Sequence, residues 1–277
     1  MWFRGPDPSK IGSKRVRVKD GRFGLTYAFR GAIRPQISGG SFTGPYAFYG
    51  AKSPLVQGGE FSGDLCFFAA EQAQVEDGLF RGKSPFMGAQ APLVKGGRFQ
   101  GDWALAESVE ARVEGGEFSG DQPLTESQRA RVEGGSFSGR EFGIQSRQMV
   151  VLGGSFGGPG FLQGSRAAVV MGGDIRCPGA FNQAQEVRVL YPGHLDEVVN
   201  PQSGIIAAQS IGRIVMDQEP GEGLVIMAQE VSQGAEYARL LEPGQLPDPR
   251  PDPAAALQAL EDLAALPCRL SPNSPLC

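Results

Sequence analysis

Gly39-Gly40-Ser41-Phe42-Thr43-Gly44 is followed, 19 residues later, by Gly58-Gly59-Glu60-Phe61-Ser62-Gly63. Close variants of this phrase return at the same spacing as far as Gly153-Gly154-Ser155-Phe156-Gly157-Gly158. The apolar residues that recur every 19 positions, without an insertion, are Phe23, Phe42, Phe61, Phe80, Phe99, Phe118, Phe137, Phe156 and Ile175. A fixed period near 20 residues indicates one structural unit stacked on itself.

The residues within this 19-residue unit, here called a coil, show strand periodicity. Counting the Phe as position 0, position 9 is Ala or Ser, and position 14 is Val in every regular coil after Ile37. Polar and apolar residues alternate around position 14, as in Arg112-Val113-Glu114, which is typical of a half-buried strand. The Gly-Gly pair before the Phe disfavours a helix and suits a tight bend. We therefore predict three short strands in each coil: at the Phe, at position 6 and at position 14.

Stacked coils place their strands side by side, parallel and about 4.8 Å apart. Crossovers between parallel strands are nearly always right-handed. The predicted fold class is therefore all-β: a right-handed parallel β-helix, or β-solenoid, of the pectin-lyase-like type, with 19-residue coils. Its interior holds a Phe ladder at position 0, a Phe/Leu ladder at position 6 and a Val ladder at position 14. Burial of each such side chain contributes roughly 1.5–3 kcal/mol.

The domain organisation follows from where the repeat begins and ends. We predict one β-solenoid domain over residues 1–242, with regular coils at 20–175 and irregular coils at 176–242. A Pro-rich linker follows at 243–253, and a short helix with a loose tail at 254–277. Two roles are open for the helix: a lid over the open end of the solenoid, or a docking peptide for a partner.

The charge pattern argues against nucleic acid as a partner. The chain of 277 residues has 26 basic and 30 acidic side chains and a net charge of −4. Basic residues cluster in the opening coil, where we interpret them as a solvated cap against edge-to-edge stacking. They are Lys10, Lys14, Arg15, Arg17 and Lys19.

Neither a leader sequence nor a cofactor motif is recognisable. Segment 1–6 lacks the features of a signal peptide, and no run approaches the roughly 18 apolar residues of a membrane span. The cysteines match no metal motif and indicate free thiols in a reducing compartment. They are Cys66, Cys177, Cys268 and Cys277. We therefore predict a cytoplasmic protein with no cofactor, no metal and no membrane insertion. Its partner is a protein or a carbohydrate, and oligomerisation is left open.

The coil phrases also resemble those of a known family. Phe118-Ser119-Gly120-Asp121-Gln122-Pro123-Leu124-Thr125-Glu126-Ser127 is similar to the Phe-x-Gly-Glu-Ser-Pro-Leu repeats of an uncharacterised bacterial family of right-handed β-helix proteins, a domain of unknown function. Segments 80–86 and 99–108 look like variants, and the resemblance spans residues 20–175. This chain lacks the family's Trp-rich coils. The resemblance implies the β-helix fold and brings no activity or site residue with it.

Candidate catalytic residues are few. The single histidine, His194, nearly excludes a His-based triad or a multi-His metal site. Position 3 offers one pair, Asp102 and Asp121, which neighbouring coils would place about 5 Å apart, within the range of a retaining glycosidase. The whole column reads Asp64, Lys83, Asp102, Asp121 and Arg140. Charges of both signs in one column are typical of a solvated face with weak cross-strand pairing, and we favour that interpretation.

Large apolar side chains occupy positions 4 and 7 in the N-terminal half of the chain. They are Tyr27, Tyr46, Tyr49, Phe68, Met87 and Trp103. If position 6 points inward, position 7 points outward, and these residues form a surface stripe suited to a sugar or protein contact. The alternative is that the coil bends there and both columns are partly buried, because periodicity does not decide the side of a bend that a residue takes.

Three hypotheses on function follow. The first is a non-catalytic scaffold or interaction protein, which the constant coil length without inserted loops favours. The second is a carbohydrate-binding or carbohydrate-cleaving β-helix that uses Asp102, Asp121 and the aromatic columns. The third is a self-assembling solenoid of the bacterial cytoskeletal type, although the Pro-rich tail and the basic first coil resemble caps against stacking.

Overall fold

The computed structural model describes residues 12–219, 221–248 and 252–265, and it shows a parallel β-solenoid. The strands, in chain order, are β1 (Arg17–Lys19), β2 (Arg22–Phe23), β3 (Gln36–Ser38), β4 (Ser41–Phe42), β5 (Leu55–Gln57), β6 (Glu60–Phe61), β7 (Gln74–Glu76), β8 (Leu79–Phe80), β9 (Leu93–Lys95), β10 (Arg98–Phe99), β11 (Arg112–Glu114), β12 (Glu117–Phe118), β13 (Arg131–Glu133), β14 (Ser136–Phe137), β15 (Val150–Leu152), β16 (Ser155–Phe156), β17 (Val169–Met171), β18 (Asp174–Ile175), β19 (Val187–Val199), β20 (Gly204–Val215), β21 (Leu224–Gln233) and β22 (Arg239–Leu240). A 3₁₀ turn lies at Ala235–Tyr237, and helix α1 spans Pro253–Ala265.

Two parallel sheets run along the solenoid. Among the described residues, one sheet has 13 strands: the odd-numbered strands from β1 to β19, followed by β20, β21 and β22. The other sheet has nine strands, which are the even-numbered strands from β2 to β18. Residues 19 apart are partners, so that Val113 lies beside Val132 and Phe99 beside Phe118. The predicted stack of 19-residue coils is confirmed, with about 11 turns.

The Gly-Gly bends direct the Phe at position 0 into the interior. Phe99 and Phe118 are almost completely buried, and their rings stack with 4.4 Å between centroids and 4° between planes. Gly116, two residues before Phe118, has φ +98°, and a Cβ atom there would lie 2.8 Å from the carbonyl oxygen of Gly96 in the coil below. Only glycine fits this bend, and the predicted interior Phe ladder is confirmed.

The second interior ladder changes position along the chain. Phe48 and Phe67, at position 6, stack with 4.7 Å between ring centroids. Where position 6 is Gly143, the preceding Phe142 at position 5 is buried instead, and its ring meets that of Phe137 edge-on at 4.7 Å. The interior volume therefore stays filled although the residue that fills it moves by one position.

Each coil has two strands rather than the predicted three. Positions 3–9 form what we call the turn side, in which Trp103, Leu105 and Glu107 have φ values of 58°, 61° and 56°. Left-handed residues at alternate positions prevent an extended strand. Their amides still point along the solenoid axis, so that Trp103 N–H donates to the Asp121 carbonyl and Glu107 N–H to the Thr125 carbonyl, both at 2.8 Å. The prediction failed because left-handed residues other than glycine are uncommon and carry no compositional mark.

The coils after Ile175 depart from this regularity. β19, β20 and β21 have 13, 12 and 10 residues. Segment 192–195, which begins with Pro192 and Gly193, lies inside β19, where the register with β20 shifts between Tyr191 and His194 as a β-bulge. Val187 pairs with Gly204, and Gly204 with Leu224, so the 19-residue spacing ends here.

Helix α1 lies along the side of the solenoid. Its side chain Leu260 is fully buried, and Asp252 accepts hydrogen bonds from the N–H groups of Ala254 and Ala255 as the N-cap. The sheet residues beneath the helix are Met171, Leu190, Ala207 and Met227. The helix therefore covers a lateral face of the solenoid. The lid interpretation, which placed the helix across the open end, is wrong. The predicted tail after Ala265 lies outside the described residues, and so do its cysteines, Cys268 and Cys277. Lys10 also lies outside them.

Candidate interaction surface on the turn side

The predicted aromatic columns lie on the outside of the turn side. Tyr27 and Trp103 are 41% and 39% exposed. The other members are half-buried: Tyr46, Tyr49, Phe68 and Met87. The interpretation as a surface stripe is partly right, because the columns face outward. The interpretation as partly buried columns is also partly right, because the middle members cover one another.

Four of these rings and one guanidinium form a continuous cluster, which we call the aromatic patch: Tyr27, Arg30, Tyr46, Tyr49 and Phe68. Tyr27 stacks on Tyr46 at 5.2 Å between centroids, and Tyr49 stacks on Phe68 at 5.6 Å. Tyr46 and Tyr49 meet edge-on at 6.1 Å, which joins the two columns. The Arg30 guanidinium lies 5.3 Å from the ring centroids of both Tyr27 and Tyr49.

The repeat explains this arrangement. A 19-residue period brings like positions of neighbouring coils one above the other, at the separation of stacked rings. The turn side also brings positions 4 and 7 of one coil together, so two columns become a single cluster. Arg30, which was not among the predicted residues, occupies position 7 one coil before Tyr49. The column itself could have revealed it, because a cation beside a ring is a favourable pair.

Small residues border the aromatic patch at position 8. Gly31 and Gly50 have φ values of 62° and 59°, and a Cβ atom on Gly50 would meet nothing within 4 Å. Acidic residues occupy the same position only farther along, at Glu107 and Glu126. On this side the patch therefore has a flat border without carboxylates.

Trp103 lies apart from the patch. The Lys83 ammonium is 5.7 Å from its ring centroid, and its Nε1–H donates to Gln122 Oε1 in the next coil. Met87 is half-buried at position 7 between the two groups. Of the six predicted binding residues, the structure thus joins four in one cluster and leaves Met87 and Trp103 beside it.

Asp102 and Asp121 belong to a ladder of charges rather than to a pocket. Asp102 Oδ1 accepts the backbone N–H of Asp121 at 3.1 Å, and Asp121 Oδ1 accepts that of Arg140 at 2.9 Å. Lys83 Nζ lies 3.6 Å from Asp102 Oδ2, and Arg140 Nη2 lies 2.7 Å from Asp121 Oδ2. The hydrogen bonds from Arg140 lower the pKa of Asp121. A glycosidase acid needs the opposite shift, so this pair is poorly suited to proton donation.

The single histidine has partners that resemble a triad. His194 Nδ1 lies 2.9 Å from Ser210 Oγ, and His194 Nε2 lies 3.7 Å from Asp196 Oδ1. About half of the His194 and Asp196 side chains is exposed, on the outer surface of a sheet. The site lacks the enclosure that acyl transfer requires.

Two cysteines lie inside the solenoid. Cys66 and Cys177 are free and buried. Burial raises the pKa of the Cys66 thiol far above its ordinary value and that of Cys177 to about 12. Both therefore stay protonated and are structural side chains rather than nucleophiles.

Two surface cavities in the described part of the chain are shallow, and neither brings a catalytic set together. One, of about 580 Å³, lies beside α1 and includes Glu186, Arg188 and Glu261. Another, of about 420 Å³, crosses the Gly-Gly bends near Asp77 and Arg98. In the described part of the chain, no group of three or more His, Cys, Asp or Glu side chains is placed to hold a metal ion. No helix within the described ranges combines the length and apolar character of a membrane span.

No family model, curated protein or solved structure matches this chain.

Proposed function

We propose that this protein is a non-catalytic scaffold, a right-handed cytoplasmic β-solenoid that binds a partner protein through the aromatic patch. The observation that carries this function is the cluster of Tyr27, Tyr46, Tyr49 and Phe68 with Arg30 on the outside of the solenoid. The resemblance to the bacterial β-helix family agrees with a scaffold but supplies no partner.

The composition of the patch suits a protein interface. Tyr and Arg are enriched among the residues that dominate binding energy at protein interfaces. Rings held in stacks by their neighbours lose little conformational entropy when a partner binds. Because the backbone under the patch is fixed by bonds between coils, such as that from Tyr27 N–H to the Pro45 carbonyl at 3.2 Å, the surface is preorganised.

The stacking disfavours the carbohydrate alternative. A sugar ring packs against the free face of an aromatic ring, whereas Tyr27 and Tyr46 cover one another's faces, with planes 26° apart. Tyr49 and Phe68 do the same at 18°. Each of these four rings therefore has one face covered, which leaves less free aromatic face for a sugar and suits apolar and hydrogen-bonded contacts with a polypeptide.

The test begins with a quantitative comparison of binding. Proteins that co-purify with the wild-type chain should be identified and purified, and their dissociation constants for the wild type and each variant measured by calorimetry. We expect Tyr49→Ala and Arg30→Ala each to weaken binding at least about tenfold. Ile144→Ala is the matched control, because Ile144 occupies position 7 outside the patch and is half-buried. A partner that binds all three variants equally would contradict the proposed site.

A second measurement separates scaffold from enzyme. Asp102→Asn combined with Asp121→Asn should leave any cellular phenotype of the gene intact, because the two carboxylates serve the charge ladder. A glycan-cleaving activity that disappears in the double variant would establish the carbohydrate-cleaving alternative instead.

A further inference from the structure

The two ends of the solenoid carry opposite charge. The first described coil, residues 12–30, has six basic side chains and one acidic side chain, whereas residues 217–242 have six acidic side chains and one basic. The basic set is exposed and consists of Lys14, Arg15, Arg17, Lys19, Arg22 and Arg30. The acidic set is also exposed and consists of Asp217, Glu219, Glu222, Glu230, Glu236 and Glu242. We call these the basic end and the acidic end.

Ion pairs between adjacent coils neutralise many of the charges on the shaft between the ends. Arg98 pairs with Glu117 at 3.2 Å, and Arg129 with Glu110 at 3.0 Å, each across adjacent coils. At the basic end, Lys14, Arg15 and Lys19 form no ion pair with the described part of the chain. At the acidic end, Glu219, Glu222 and Glu230 form none there either. Each end thus carries uncompensated charge of a single sign.

Both ends also present edges of parallel sheet. Among the described strands, β1 pairs with β3 alone. At the opposite end, the part of the chain that the structure describes pairs β22 only with Met227 and Ala228 of the longer β21. A sheet edge accepts a further strand. A second copy displaced along the solenoid axis offers its strands in the same direction, so that parallel pairing would continue from one copy to the next.

We infer that the occupant of each end is a second copy of this chain, joined head to tail, with the basic end of one copy on the acidic end of the next. Head-to-head and tail-to-tail contacts bring like charges together and are disfavoured. A head-to-tail contact does not close on itself, so the product is an open, polar filament. The basic coil then disfavours head-to-head stacking and favours head-to-tail stacking.

The first test is sedimentation of the full chain at increasing concentration, in buffers of low and high ionic strength. We expect assemblies that grow with concentration at low salt and dissociate at about 0.5 M salt, because screening weakens contacts between exposed charges. A chain that stays monomeric up to a concentration of about 100 μM at low salt would overturn the inference.

Charge exchange gives the sharper test. A head variant carries Lys14→Glu, Arg15→Glu and Lys19→Glu, and a tail variant carries Glu219→Lys, Glu222→Lys and Glu230→Lys. Each alone places like charges at the contact, so its dissociation constant should rise at least about tenfold. An equimolar mixture of the two variants should assemble again, as should a chain that carries both sets of changes. Assembly of either variant alone at wild-type affinity, or failure of the mixture to assemble, would refute the head-to-tail contact.

Controls on the middle of the shaft separate end charge from net charge. Arg147→Glu and the pair Glu107→Lys with Glu126→Lys change exposed side chains that form no ion pair with the described residues. These variants should assemble like the wild type, and circular dichroism should show that every variant is folded. None of the six exchanged residues belongs to the aromatic patch, so failure here leaves the proposed partner site untouched, and the reverse holds as well.

Discussion

The regular coils and the C-terminal coils share one interior but differ on their outer face. At position 15, most regular coils carry a polar outward residue, such as Lys95 or Glu114, and this column stays in water. Farther along, the same column becomes apolar at Leu152, Met171 and Leu190, and α1 covers it. The comparison shows that the inner ladders determine the solenoid fold, whereas the outer residues determine whether another element packs against a face of the solenoid.

The largest expected effect concerns the shared interior. Phe118→Ala removes a ring that is only 2% exposed and stacks on both neighbours, and we expect a loss of about 3–5 kcal/mol in the free energy of unfolding. Urea denaturation followed by circular dichroism measures it. Ser138→Ala, an exposed change in the next coil, should stay within about 0.5 kcal/mol. Equal effects of the two changes would show that the Phe ladder does not hold the coils.

The next effect should be confined to the C-terminal coils. Leu260→Ala removes the most buried side chain of α1 and should weaken docking of the helix by about 2–3 kcal/mol. Hydrogen exchange should then rise in α1 and in the outer strands under it, while β7 to β13 keep their protection. Exposed Gln258→Ala is the control on the same helix. Faster exchange throughout the solenoid would show that the helix and the regular coils unfold as one unit.

A smaller effect distinguishes a buried alanine from a left-handed alanine within one coil. Ala89 is fully buried at position 9, whereas Ala91 has φ 47°. We expect Ala89→Gly to cost about 1 kcal/mol in stability, through lost packing and chain entropy. Ala91→Gly should be neutral or stabilising, because glycine adopts a left-handed φ without strain. Thermal unfolding compares the two, and a larger loss for Ala91→Gly would contradict the left-handed conformation.

The smallest effect is the pH dependence of the charge ladder. The folded pKa of Asp121 is below its unfolded value of 3.8, because Arg140 hydrogen-bonds to the ionised form. Its contribution to stability is therefore complete well above pH 4 and is lost as the pH falls through the folded pKa. Solvent screening keeps this contribution small. Stability measured from pH 6 to pH 2 should fall less steeply in Arg140→Gln, and an unchanged slope would assign the acid sensitivity elsewhere.

The outer face could have been read from the sequence. Position 15 runs from Lys95, Glu114 and Glu133 to Leu152 and Met171. Val150-Val151-Leu152 is apolar on both sides of the strand, which is typical of a strand covered on both faces. Read together with the amphipathic segment at 253–265, this column predicts a helix on the lateral face rather than a lid on the end.

The sequence by itself determined the stacking of 19-residue coils, the interior Phe and Val ladders and the bend at each Gly-Gly pair, because each of these recurs at a fixed spacing. Only the tertiary structure decided the conformation of the turn side, because residues such as Leu105 adopt a left-handed φ without any glycine to mark it. It alone joined Arg30, Tyr27 and Tyr49 in one patch, since contacts between positions 4 and 7 depend on how the backbone bends there.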